Sequence, residues 1–225
     1  MNDGKTITLT TAHGERFSGY IAGPEAAPCA ILILHEWWGL LPHNRQWADD
    51  FATEGYRALA IDLYDGRTTD DPAEAGQWMR EIDQETADRK LSAAIDHLGT
   101  GGRKVVTYGG SFGGREAQHA AMLRPDAVIA TVVAFSRMET DVERLRRLGG
   151  PVFVIYATQE RTWPEKQHAF EQAMKDAGQQ THSLQLDAAH GFTNPSSPRF
   201  DAAATAEAWQ ATLAFLRSTC APHRP

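Results

Sequence analysis

Residues 108–117 read YGGSFGGREA, with Gly109, Gly110, Gly113 and Gly114 flanking Ser111 directly after the apolar run Lys104–Tyr108. Three readings compete for such a loop. A dinucleotide-binding GxGxxG needs glycine at its first, third and sixth positions, and no frame here supplies all three. A Walker-type loop needs Gly-Lys followed by Ser or Thr, which is absent. The pattern that fits is G-x-S-x-G over Gly109–Gly113, preceded by a strand-like run and followed by helix formers. That context holds a serine at the tip of a sharp strand-to-helix turn, with free helix N–H groups behind it.

The segments around this turn predict the fold. KTITLTT (5–11) and RFSGYIAGP (16–24) alternate like amphipathic strands. CAILILHE (29–36), YRALAIDLY (56–64), RKVVTYGG (103–110), AVIATVVAF (127–135), PVFVIYAT (151–158) and HSLQLD (182–187) read as further strands. Helical patterns fall between them at 42–55, 72–99, 113–123, 139–150, 164–178 and 201–218; residues 72–99 form one long helix or two. Continuous Val/Ile/Leu strands alternating with helices predict an α/β class protein: a doubly wound, mostly parallel sheet flanked by helices. No linker, repeat or low-complexity tract interrupts the pattern, so residues 1–225 are read as a single domain without a large lid. Chemistry is then expected at the carboxyl ends of the strands.

Composition narrows the function. The chain has 225 residues, is 42% hydrophobic and carries a formal net charge of −7. Acidity without a basic run argues against nucleic acid as a partner. The apolar runs are too short to span a bilayer and the N-terminus is unlike a signal peptide, so no membrane partner and a cytoplasmic location are expected. Cys29 and Cys220 stand near opposite ends of the chain and are expected as isolated thiols. No HExxH or similar cluster predicts a metal, and no cofactor is expected. The expected state is a monomer or small homo-oligomer.

A serine hydroxyl needs a base. Of nine histidines, His190 lies in LDAAHGFTNP (186–195), after the last strand and before the last helix. His35 ends a strand and is its one competitor; His43 sits at a helix start and reads as a cap or surface group. The others fall in helices, a turn, a strand start or, for His223, the tail. An acid is expected after the strand between serine and base, where ATQERTWP (157–164) offers Glu160. The order Ser111, Glu160, His190 is that of the α/β-hydrolases. Two backbone donors for an oxyanion are expected at Phe112, after the nucleophile, and Trp37, after the first parallel strand.

Taken together, ILILHEWWGL (31–40), GYRALAIDLY (55–64), YGGSFGG (108–114), ATQERTWP and AAHGFTNP resemble the dienelactone hydrolase family, over residues 5–218. The resemblance implies the α/β-hydrolase fold and hydrolysis of a small soluble ester or lactone, with Ser111 as nucleophile, Glu160 as acid and His190 as base. It also implies that Glu36 contacts and poises the nucleophile. The chain departs from the family's founders in three ways. Serine replaces a cysteine nucleophile, glutamate replaces aspartate, and Thr193 and Asn194 stand where a substrate-binding arginine would follow the histidine. Arg67 and Arg80 are possible counterparts of a second substrate arginine. Arg115 and Arg137, which follow the turn and a strand, are independent candidates for anion contact. Trp37 and Trp163 are candidate pocket walls, ahead of Trp38. Hydrolysis of another acyl bond, such as a thioester or small peptide, and ligand binding without catalysis are the alternatives.

Overall fold

The computed structural model describes residues 4–221; His223 lies outside them. Strands β1 (Lys5–Thr10) and β2 (Arg16–Ala22) open the chain, then β3 (Cys29–Leu34), helix α1 (Pro42–Thr53) and β4 (Arg57–Ile61). The chain continues through α2 (Pro72–Glu81), α3 (Gln84–Leu98), β5 (Lys104–Gly110), α4 (Phe112–Leu123), β6 (Val128–Ala134) and the one-turn α5 (Val142–Leu145). It ends with β7 (Val152–Ala157), α6 (Glu165–Asp176), β8 (Thr181–Leu186) and α7 (Ala202–Cys220).

The strands form one sheet in the order β1-β2-β4-β3-β5-β6-β7-β8. Only β1 with β2 and β2 with β4 pair antiparallel; β4 through β8 are parallel. The chain reverses direction between β4 on one side of β3 and β5 on the other, so the loops after β3 and β5 splay apart at the carboxyl edge and leave a crevice. Among the described residues no helix is long and apolar enough to cross a membrane.

Burial explains the uninterrupted apolar strands. Every residue of β3 is buried, with Leu32 and Leu34 facing α3 and α4 while Ile31 and Ile33 face α1 and α7. A strand covered on both faces needs no polar alternation. The stretch at 72–99 is two helices, because Asp83 caps a second one through Glu85 N–H. The strand at 56–64 stops at Ile61: the Asp62 carboxylate accepts the N–H groups of Tyr64 and Gly66 and turns the chain.

The cysteines correct the expectation of isolated thiols. Cys29 opens β3 and Cys220 ends α7, and they form a disulfide across 191 residues of sequence. Leu213 and Leu216 pack α7 against the sheet and bring its last turn back to the start of the central strand.

Candidate active site

Ser111 sits between β5 and α4 with φ 53° and ψ −120°, a left-handed backbone that costs a non-glycine residue about 1–3 kcal/mol. Its neighbours hold it there. A Cβ on Gly109 would lie 2.3 Å from the Gly113 carbonyl oxygen, and one on Gly113 would lie 2.1 Å from the Leu34 oxygen. The glycines thus let α4 press against β3, while Ser111 N–H donates to the Ala134 carbonyl and Ser136 Oγ donates to the Ser111 carbonyl.

The histidine arrives from the loop after β8. His190 Nε2 lies 2.9 Å from Ser111 Oγ, and Nδ1 lies 2.6 Å from Glu160 Oε1. A carboxylate only accepts, so Nδ1 carries the proton and Nε2 is free to accept from the hydroxyl. The Phe135 ring stands edge-on to the imidazole at 5.3 Å and also packs edge-on with Phe192. The loops carrying Glu160 and His190 are tied together, Thr158 N–H donating to the Leu186 carbonyl and Gln159 N–H to that of Ala188. Burial alone would raise the Glu160 carboxyl, but hydrogen bonds from His190 and Lys166 outweigh it and hold it below the ordinary glutamate value. Lys166 is a neighbour that the sequence reading missed: its ammonium pairs with Glu160 Oε2 and also donates to the Ser136 carbonyl.

His35 is removed as a rival base because both ring nitrogens are occupied. Nε2 accepts from Leu63 N–H at 3.1 Å and Nδ1 donates to the Glu36 carbonyl at 2.6 Å. Burial pushes this imidazole below its ordinary pKa and keeps it neutral. The bonded carbonyl belongs to the peptide whose N–H is that of Trp37. Among the described residues neither the Trp37 nor the Phe112 N–H has a hydrogen-bond partner.

The contact implied between Glu36 and the nucleophile is not made. The Ser111 hydroxyl is engaged by His190, whereas Glu36 Oε2 turns toward His43 Nε2 at 3.7 Å. His43 is accordingly not a surface group but is buried with Glu36, the half-buried Trp47 ring standing edge-on to it. Glu36 Oε1 faces the His190 loop, 4.0 Å from where a Cβ on Gly191 would stand.

A cavity of about 890 Å³ opens beside His190 and Glu160, bounded by Phe135, Met138 and Thr162. Arg137, Arg161 and Arg199 also line it, and none has a carboxylate partner among the described residues. Arg137 was anticipated; Arg161 and Arg199 were not, although both stand in loops at the carboxyl edge. The other expected contacts lie elsewhere. Arg67 stacks over Trp78 at 4.9 Å and donates to the Tyr64 carbonyl. Arg115 is paired with Glu116 at 2.7 Å and faces an adjacent cavity of about 520 Å³. Trp163 packs on the core and donates to Gln167, and Trp37 packs edge-on to Trp38. Neither tryptophan lines the cavity at His190, because both indoles fill space beneath their loops.

A serine on a strand-to-helix elbow after β5, with a carboxylate and a histidine from the loops after β7 and β8, the last two parallel strands at the sheet's far edge, defines an α/β-hydrolase fold. A model of the dienelactone hydrolase family matches residues 17–220, and the chain belongs to that family of hydrolases. Carboxymethylenebutenolidase 1 of Cupriavidus pinatubonensis is 25% identical over 231 residues, covering 96% of this chain and 97% of its own. Protein usf of Aquifex pyrophilus is 27% identical over 218 residues, 91% and 94% of the two chains. The same fold is seen in dienelactone hydrolase from Anabaena variabilis, with TM-score 0.74, 22% identity and coverage of 97% and 98%. It is also seen in a dienelactone hydrolase-like promiscuous phosphotriesterase from metagenomic libraries, with TM-score 0.83, 22% identity and coverage of 96% and 98%.

Proposed function

We propose that this chain is a serine hydrolase that cleaves small ester or lactone bonds through an acyl-enzyme intermediate. The observation that carries this reading is the unbroken hydrogen-bonded line from Ser111 through His190 to Glu160. Ser111 Oγ attacks the carbonyl carbon while its proton passes to His190 Nε2. Glu160 holds the ring in the Nδ1–H tautomer and stabilises the imidazolium. The Phe112 and Trp37 amides stabilise the oxyanion. Collapse of the tetrahedral adduct expels the alkoxide, which takes the proton from His190. In a lactone the alkoxide stays tethered to the acyl group. Water, deprotonated by the same nitrogen, then releases the acid and restores Ser111.

Carboxymethylenebutenolidase, the name carried by the Cupriavidus relative, supports an ester or lactone substrate. The open cavity suits a small soluble substrate, and its unpaired arginines favour esters bearing an anionic group.

Ser111→Ala is expected to lower kcat on an activated ester by about 10⁴-fold or more, and to abolish labelling by a fluorophosphonate probe. Turnover within about tenfold of the parent in a folded Ser111→Ala protein overturns the assignment. A panel of esters, thioesters and short peptides compared by kcat/KM identifies the acyl bond preferred.

A further inference from the structure

Glu160 has two carboxylate oxygens, and each is engaged by a different cation or proton donor. Oε1 accepts from His190 Nδ1, and Oε2 meets the Lys166 ammonium. Lys166 and Glu160 side chains are only 16% and 9% exposed, so solvent screens the pair weakly. The lysine, the second residue of α6, does more than neutralise the acid. Its Nζ also donates to the Ser136 carbonyl at 3.2 Å, and Ser136 Oγ donates to the Ser111 carbonyl at 2.6 Å. One side chain therefore links the acid, the end of β6 and the backbone of the elbow.

We propose that Lys166 is a positioning residue of the site: it clamps the outer oxygen of Glu160 and, by sharing that carboxylate's charge, sets the pH at which His190 works as a base. The inference rests on reading Ser111, His190 and Glu160 as the catalytic triad. A carboxylate that faces only an imidazole stabilises imidazolium with its full charge. One that also faces an ammonium does so less, and the ammonium itself repels a second positive charge. Lys166 thus favours neutral His190, the form that accepts the serine proton. The other charged groups near the base are Glu36, whose Oε1 faces the His190 loop, and Arg137, Arg161 and Arg199 in the cavity. Among the described residues none of these contacts Glu160, and Lys166 is the cation that meets the acid directly. The Glu160 carboxylate meets His190 with one oxygen and α6 with the other, so it is seated from both sides.

The test is the pH profile of kcat/KM on an activated ester for the parent and for Lys166→Gln, Lys166→Met and Lys166→Arg, with folding checked by circular dichroism. Glutamine keeps a hydrogen-bond donor and loses only the charge; methionine loses both; arginine keeps both. The acid limb is expected to move to higher pH by about one unit in the glutamine and methionine variants. Arginine should keep the limb within about 0.3 unit of the parent. A folded Lys166→Gln protein whose limb does not move, or a Lys166→Arg protein whose limb moves as far as that of Lys166→Met, overturns the proposal. A residue that merely supported the loop would lower kcat without shifting the limb. Fluorophosphonate labelling of the parent at Ser111 separates the two levels. Its absence sinks the triad reading, whereas intact labelling with an unmoved limb sinks only the role of Lys166.

Discussion

Replacing His35 with leucine isolates the support of the Trp37 amide from the triad itself. The ring donates 2.6 Å to the Glu36 carbonyl and accepts at 3.1 Å from Leu63 N–H, fully buried against Tyr64 and Phe112. Leucine fills much of the volume but orphans both backbone groups. An unpaired buried polar group costs about 1–3 kcal/mol, so the two together should cost roughly 2–6 kcal/mol of stability. For activity, deleting an oxyanion donor outright costs about 10²–10³-fold in kcat. On the proposed mechanism the Trp37 N–H is released rather than deleted, so kcat should fall about 10–100-fold with KM little changed. Urea denaturation measures the first quantity and ester kinetics the second. A third measurement is the affinity of a trifluoromethyl ketone, whose adduct with Ser111 carries the oxyanion; this should weaken in step with kcat. His35→Gln, able to donate and accept at once, should recover most of both losses. If His35→Leu loses stability but keeps kcat and inhibitor affinity within about threefold, the ring is packing alone and the reasoning about the 36–37 peptide is wrong.

Two further perturbations probe the frame. Gly113→Ala places a Cβ 2.1 Å from the Leu34 oxygen and 2.6 Å from the His35 oxygen, so α4 must back away from β3. The expected result is a loss of at least about 1–3 kcal/mol in urea denaturation together with a fall in kcat; parent-like values in both would refute the close approach. The Cys29–Cys220 bridge closes a loop of 191 residues of sequence. Its removal by the Cys29→Ala/Cys220→Ala double variant should cost about 2–4 kcal/mol and lower Tm by roughly 5–15 °C. Thiol titration of unreduced, denatured protein should find no free thiol; finding two would refute the bridge.

The strands and helices were legible because burial on both faces leaves long apolar runs, as in Cys29–Leu34, that few other arrangements produce. Ser111, Glu160 and His190 were legible because parallel topology forces each to follow a strand at the same edge. What escaped depends on where elements meet. Lys166 lies in a polar helix start, PEKQH, that reads as solvated; its partner is visible only when the ends of β6 and β7 are set side by side. His35 looked like a base because sequence shows a ring and not the two bonds that occupy it. Arg67 and Trp163 follow strands as pocket residues do, yet stacking on Trp78 and bonding to Gln167 take them away from the cavity. The cysteine spacing carried no sign that the last helix returns to the start of the central strand.

The hydrogen bonds from Thr158 and Gln159 to the loop of His190 have a mechanical consequence. They join the loops of Glu160 and His190 directly, whereas Glu160 reaches the backbone of the β5–α4 elbow through the Lys166–Ser136–Ser111 line. A displacement of the elbow relative to these loops would open the 2.9 Å gap between Ser111 Oγ and His190 Nε2 without breaking the bonds that join the Glu160 and His190 loops. Substitutions at Arg137 and Met138, which border the cavity beyond Phe135 and Ser136, can reshape what binds while leaving these hydrogen bonds in place.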